Sequence, residues 1–332
     1  CSVSASESPV ILIQAFQKTT IENTYDYVIQ HGEAFRTHGL TFDAASKDAL
    51  SNGHINLNDY EVVDWIAGLD QESLDHITKP AVGGYLRSGG KLFISGSYLL
   101  ENLSGTSADP YFYSTYLKAV SKKQSTDTYK VMPVSESVFE GFSEISFDHN
   151  DGSTYRVYRP DGFAPAGGAK SVLVYSGIDS SVNGSAALQY SGTFADSEEE
   201  AALVYLGFPF ESIESDSMRN AMMGSILHYF GYDVTLTSLA GNDMPQNFRL
   251  DQNYPNPFNA ETRISYFVPE DADVSLDIYD ILGRQVRRLL GSFHSAGRHS
   301  LSFRADDLPA GVYFYKLSSG TYRSVRKMIL LK

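Results

Sequence analysis

The chain of 332 residues has one cysteine, Cys1, and one tryptophan. A lone thiol excludes an internal disulfide and a thiolate cage for a metal ion. No stretch approaches the ~18 apolar residues that span a bilayer. The longest early run, "VILIQAF", is short and lacks the basic flank of a signal peptide, so it reads as a buried strand. Positive charge is scarce as well: 26 Lys and Arg stand against 40 Asp and Glu, a net of −14. That balance argues against nucleic acid or an anionic membrane as the main partner.

What is present describes a globular chain. Hydrophobic residues make up 42% and charged residues 20%, enough to bury a core. Aromatics are frequent at 13%, and their packing in sheets is sufficient explanation. Charge is uneven: residues 1–248 carry a net of −17 and residues 249–332 a net of +3. This asymmetry suggests two modules. Two readings of Cys1 stay open: the lipid-modified start of a mature bacterial lipoprotein, or a cut within a longer chain.

Residues 1–240 alternate strand and helix patterns. "PVILIQAF", "YEVVDWIAG", "KLFISGS", "SVLVYSG" and "AALVYLGFPF" are near-continuous apolar runs, as in strands covered on both faces. Helical segments fall at 23–39, from about Pro80 to Gly89-Gly90, and after a cap at Ser215 or Asp216 up to Gly231. The expected fold is α/β, an open and mostly parallel sheet with flanking helices, with short antiparallel strands inserted between Tyr129 and Pro160. Ligands in such sheets bind at the carboxyl ends of strands, which points to Asp64–Asp70, Ser95–Leu99 and Gly207–Glu211.

Within "LFISGSYLL", a strand runs into Gly96-Ser97 in the manner of a nucleophile elbow, although G-x-S-x-G is absent. The plainer reading makes Ser97 the cap of a turn or short helix. His31 and His38, seven residues apart, have no carboxylate cluster to complete a metal site and read as solvated or core-edge side chains. "DHNDGS" (148–153) lacks the spacing of a calcium loop and reads as a turn. His76 falls in a solvated acidic run, and "SEEEAA" (197–202) reads as an exposed charge run.

The phrases "NTYDYVIQHGEAF", "YEVVDWIAG", "YLRSGGKLFISGS" and "YLGFPFESI" resemble class I glutamine amidotransferase-like domains of secreted Bacteroidetes-type proteins, including xanthan lyase-type ones, with a flavodoxin-like sheet. That family's resemblance implies a Cys nucleophile in the elbow and a His-Pro-Glu after a late strand. Ser97 stands at the first position, and Phe210 and Glu211 stand near the second. A serine hydroxyl needs an adjacent base, and a carboxylate is a poor one at neutral pH. The expectation is therefore a non-catalytic module, with Ser97 and Glu211 as the candidate catalytic residues should it be an enzyme, and with no cofactor and no metal.

Residues 250–332 follow a linker at 241–249. "LDQNYPNPFNAETRISYFVP" packs Asn253, Pro255, Asn256, Pro257, Phe258 and Asn259 into a rigid lead-in, because proline fixes φ and the residue before it is held extended. Alternating strands then recur with turn signals such as Gly283 and Gly311, as in an antiparallel β-sandwich. These segments, through "LPAGVYFYKLSSG" with Tyr313 to "KMILLK" with Lys327 and Lys332, closely resemble the type A C-terminal sorting domain of the type IX secretion system. The resemblance covers the whole domain and departs at Ala260, where Pro is common. It implies an Ig-like sandwich recognised by the type IX translocon, export via the periplasm to the outer-membrane surface or beyond, and removal by a sortase-like protease. The polar stretch 236–248 suits that cleavage. It also brings glycan or lipopolysaccharide into view as a partner of the cargo. Three functions follow for the cargo: a non-catalytic accessory module, a hydrolase or lyase of polysaccharide or peptidoglycan using Ser97, or a surface structural protein.

Overall fold

The computed structural model describes residues 8–16, 27–70, 72–100, 109–123, 126, 128–147, 157–234, 248–250, 252–253, 256–269, 271–294, 297–305 and 307–331. Cys1, Pro255, Lys332, the 148–153 turn and residues 236–247 of the expected cleavage stretch lie outside them. The chain divides after Asn242 into two compact units.

The first unit begins β1 (Val10–Gln14), α1 (Tyr27–Thr37), β2 (Phe42–Ser46), α2 (Lys47–Ser51), β3 (Val62–Gly68), α3 (Thr78–Arg87) and β4 (Lys91–Gly96). It continues with α4 (Pro110–Thr115), β5 (Ala119–Lys123), β6 (Lys130–Pro133), β7 (Ile145–Ser146), β8 (Gly162–Pro165) and β9 (Lys170–Tyr175). It ends with α5 (Ser180–Asn183), β10 (Ser185–Thr193), β11 (Glu200–Leu206), a 3-10 turn (Phe210–Ser212) and α6 (Asp216–Tyr229). The sheet order is β2-β1-β3-β4-β11-β10-β9-β6-β7, with β8 joining β10 and β5 joining β8.

The sheet is mixed, where alternating elements lead one to expect a mostly parallel one. β2, β1, β3, β4 and β11 run parallel, and every pairing beyond β11 is antiparallel. The cause is link length. Only the four-residue α5 and its flanking turns separate β9 from β10, and six residues separate β10 from β11. A parallel crossover needs a dozen or more, so these strands return as hairpins.

Side chains alternate across β3: Val62 and Ile66 join a cluster with α1 and α6, whereas Val63, Trp65 and Ala67 join one with α3 and α4. In α1 the buried positions Tyr27, His31, Ala34 and Phe35 follow the i, i+4, i+7, i+8 spacing of one stripe. His31 therefore points into the core, and the reading of a solvated or core-edge histidine is corrected. α3 starts at Thr78, with Pro80 in its first turn, where no intrahelical N–H is missed. Ser215 caps α6, its Oγ accepting from the Met218 amide at 3.2 Å.

The second unit contains β12 (Arg249–Leu250), β13 (Phe258–Asn259), β14 (Glu261–Val268), β15 (Ala272–Asp280), β16 (Gln285–His294), β17 (Gly297–Arg304), β18 (Gly311–Ser319) and β19 (Tyr322–Leu331). They form two sheets, β12-β14-β17 and β13-β19-β18-β15-β16. Ile264, Tyr266 and Phe303 of the first sheet share one apolar cluster with Leu276, Ile278, Tyr315, Leu317 and Met328 of the second. Pairing is antiparallel except between β13 and β19, where Phe258 lies beside Leu330. Among the described residues no helix is long and apolar enough to cross a membrane.

Candidate functional site

Ser97 follows β4 directly. Its amide donates to the Gly68 carbonyl at 2.9 Å, which ties the turn to the end of β3. The side chain has no solvent exposure, and its Oγ has no hydrogen-bond partner among the described residues. It caps no described helix, since Tyr98–Leu100 form a bend and turn, and residues 101–108 are outside the described set. The left-handed residue of this turn is Tyr98, at φ 67°, one position beyond the serine.

The surrounding strand ends are closely packed. A Cβ added to Gly96 would meet the Ala67 Cβ at 2.7 Å, and one added to Gly207 would meet the Asp161 carbonyl oxygen at 2.6 Å. Glycine is required at both places because neighbouring strand atoms, the Ala67 methyl and Gly68 backbone at one and the Asp161 carbonyl at the other, occupy the space a side chain would need. Ser97 and Glu211 are not joined by a hydrogen bond.

Glu211 engages a different partner. It sits in the 3-10 turn after β11, and its Oε2 lies 3.2 Å from His31 Nε2 on α1. His31 Nδ1 lies 2.6 Å from Asp64 Oδ2 in the middle of β3. Asp64, His31 and Glu211 all have 0% exposure. Phe210 meets the imidazole at a centroid distance of 4.9 Å, Phe93 lies 6.2 Å away, and the two phenyl rings pack edge to face. The result is a carboxylate–imidazole–carboxylate chain sealed between the sheet and α1.

Electrostatics follow from that enclosure. Burial alone pushes an imidazole down, but here attraction to Asp64, its hydrogen bond and the contacts with Glu211 override it and hold His31 at about 9. The ring is thus an imidazolium at neutral pH and donates from both nitrogens. Burial raises the Asp64 carboxyl above the ordinary range, and the His31 charge offsets part of that rise. An imidazolium engaged at both nitrogens has no lone pair with which to act as a base at neutral pH.

The other sequence candidates are dispersed. His38 lies beyond the end of α1, and its Nε2 donates to the Asn220 carbonyl at 2.7 Å, so it shares no partner with His31. His76 lines a cleft of about 880 Å³ beside α3 and α4, with Glu72, Lys79, Arg87, Asp109 and Tyr111. That cleft belongs to the α3 face of the sheet, opposite the His31 chain. Among the described residues no three His, Cys, Asp or Glu side chains gather in a way that suits a metal ion. Sequence reasoning passed over Asp64 as a partner for His31. The available signal was an acid inside an apolar strand, which must find a counter-charge.

In the second unit, the Asn/Pro lead-in is sewn into the fold. Asn253 is buried; its amide donates to Tyr315 Oη at 2.6 Å and its Nδ2 donates to Thr262 Oγ1 at 2.9 Å. Asn256 Oδ1 accepts from the Ile329 amide at 2.8 Å, and the Asn256–Pro257 bond is cis. Phe258 is buried and Asn259 exposed, as neighbours in a strand should be. The Lys327 carbonyl accepts from Gln252 Nε2 at 2.7 Å. Tyr313 Oη donates to the Pro309 carbonyl at 2.8 Å, which closes the turn ahead of Gly311. Gly283 takes φ 75° in the β15–β16 turn, a left-handed value suited to glycine.

Residues 252–331 match the family model of the secretion system C-terminal sorting domain. The second unit is a type IX sorting domain, and it marks the chain for export to the cell surface or extracellular space. No curated relative matches the chain. Among solved structures the chain is similar to PorZ, an essential bacterial surface component of the type-IX secretion system of Porphyromonas gingivalis, at 17% identity and a TM-score of 0.19. That likeness covers 24% of this chain and 11% of PorZ, so the chain spans about a tenth of that protein's length. A ThuA-like protein of Bacteroides uniformis is similar at 11% identity and a TM-score of 0.42, over 70% of this chain and 96% of its own. The mmIFT52 N-terminal domain is similar at 11% identity and a TM-score of 0.43, over 68% and 100%.

Proposed function

We propose that the first unit is a non-catalytic, amidotransferase-like accessory module, carried to the surface of a Bacteroidetes-type bacterium by the sorting domain. The observation that carries this reading is the state of its two candidate catalytic residues. Ser97 is fully buried with a hydroxyl that has no partner among the described residues, and Glu211 is committed to a buried imidazolium. A serine nucleophile needs a base within about 3 Å of its Oγ and a substrate path to it; neither is on hand among the described residues. The parallel half of the sheet, flanked by helices on both faces, supports the amidotransferase-like reading of the fold. Two sheets around one apolar cluster support an Ig-like sandwich for the sorting domain. Its partners on this reading are the translocon and a sortase-like protease, with glycan or lipopolysaccharide as a surface ligand of the cargo.

The test is labelling of the folded chain with a fluorophosphonate probe, with Ser97→Ala as control. The expected result is no adduct on either protein. An adduct on Ser97 that the S97A chain lacks would overturn the proposal and restore the hydrolase reading.

A further inference from the structure

Two histidines that the sequence reading passed over meet in the second unit. His294 is the last residue of β16, and His299 lies on β17 directly across from Tyr266 of β14. The Tyr266 and His299 rings stack with centroids 5.4 Å apart and planes 20° apart, and His294 meets His299 edge on at 4.8 Å. This brings the two Nδ1 atoms to 3.5 Å and Tyr266 Oη to 3.2 Å from His294 Nδ1.

We propose that His294 and His299, with Tyr266 beside them, form a binding site for a divalent late first-row transition ion of the Zn²⁺ type. The spacing is the principal reason. Imidazole nitrogens bind zinc at about 2.0–2.1 Å, so two of them at a tetrahedral angle stand about 3.3–3.4 Å apart. The Nδ1 atoms are already separated by nearly that distance.

A second feature sets the proton. His294 Nε2 lies 3.1 Å from Ser292 Oγ. With Nε2–H donating to that hydroxyl, the lone pair of the ring is left on Nδ1, facing His299; metal-bound histidines are commonly oriented by such a bond. Without an ion the Tyr266 hydroxyl donates to that nitrogen, a bond the metal would replace. The ion's first ligands are therefore the two imidazoles, with water and the tyrosine oxygen available for the remaining positions.

The donor set selects the ion class. Nitrogen ligands suit Zn²⁺, Ni²⁺ or Cu²⁺ and not Ca²⁺ or Mg²⁺. Both histidines are half-buried, open to an ion and its waters. The site occupies the corner where the chain leaves the five-stranded sheet for the three-stranded one, so an ion there would tie β16 to β17.

The test is calorimetric titration of the untagged, chelator-treated full chain with Zn²⁺, with Ca²⁺ as the contrast. One zinc equivalent is expected to bind, to be lost in His294→Ala and in His299→Ala, and to bind about tenfold more weakly in Ser292→Ala. Histidine ring resonances of the unmodified chain provide a readout that no folding defect can confuse: zinc should shift those of His294 and His299. Absence of zinc binding, calcium binding equally well, or zinc binding retained in both alanine variants would overturn the proposal. So would a titration that leaves the two histidine resonances unmoved.

Discussion

His31 Nδ1 and Asp64 Oδ2 lie 2.6 Å apart, 33 positions distant in the chain and both without solvent exposure. The pair joins α1 to the centre of β3, and Glu211 extends the chain from the other ring nitrogen. Water solvates none of these charges, so each depends on its neighbour.

Removing one partner should therefore be costly. His31→Ala leaves the Asp64 carboxyl in an apolar layer with no counter-charge, and a loss of about 3–5 kcal/mol is expected. Glu211→Gln keeps the volume and an acceptor oxygen and should cost about 1–2 kcal/mol. Denaturant midpoints of the first unit's transition check the order of the two variants. Equal, small losses would contradict the pairing.

Asn253 offers the corresponding test in the sorting domain. Asn253→Ala removes the bond to Thr262 Oγ1 and the acceptor used by Gln252 Nε2 at 2.7 Å, while the backbone bond to Tyr315 stays. A loss of about 1–3 kcal/mol confined to the second unit's thermal transition is expected. If the lead-in were only a linker, the variant would melt like the parent chain.

Parts of this fold were plain in the sequence because local pattern decides them. β1, β3, β4 and β11 are continuous apolar runs and could be little else. β14 and β18 alternate visibly, and the turn after β15 carries Gly283. β2 escaped notice because "FDAAS" is a half-exposed edge strand without an apolar run. The antiparallel half of the sheet depends on connection length, a signal weaker than hydrophobic period. Asp64 could be seen to need a partner, but pairing it with His31 and Glu211 requires α1, β3 and the turn after β11 to meet, which no local window contains. The dense Asn/Pro stretch was legible as a rigid segment, whereas the hydrogen bonds that fasten Asn253 and Asn256 to β18, β14 and β19 were not.

The central claim is that the His31 imidazole is a sealed structural cation. Its sign with pH is definite. The folded-state value of His31, about 9, exceeds the ordinary 6.5 of an unfolded chain, so its stabilisation is complete below about 6.5 and disappears as pH rises through about 9. The raised Asp64 carboxyl acts in the same direction, since the folded state holds its proton more tightly. The most direct measurement is a nitrogen-detected NMR titration of the His31 ring in the folded chain, followed alongside the denaturant midpoint. An imidazolium that keeps both protons to about pH 9, with stability falling over the same interval, is the expected result. A ring that titrates near 6.5, like a solvated histidine, would contradict the claim.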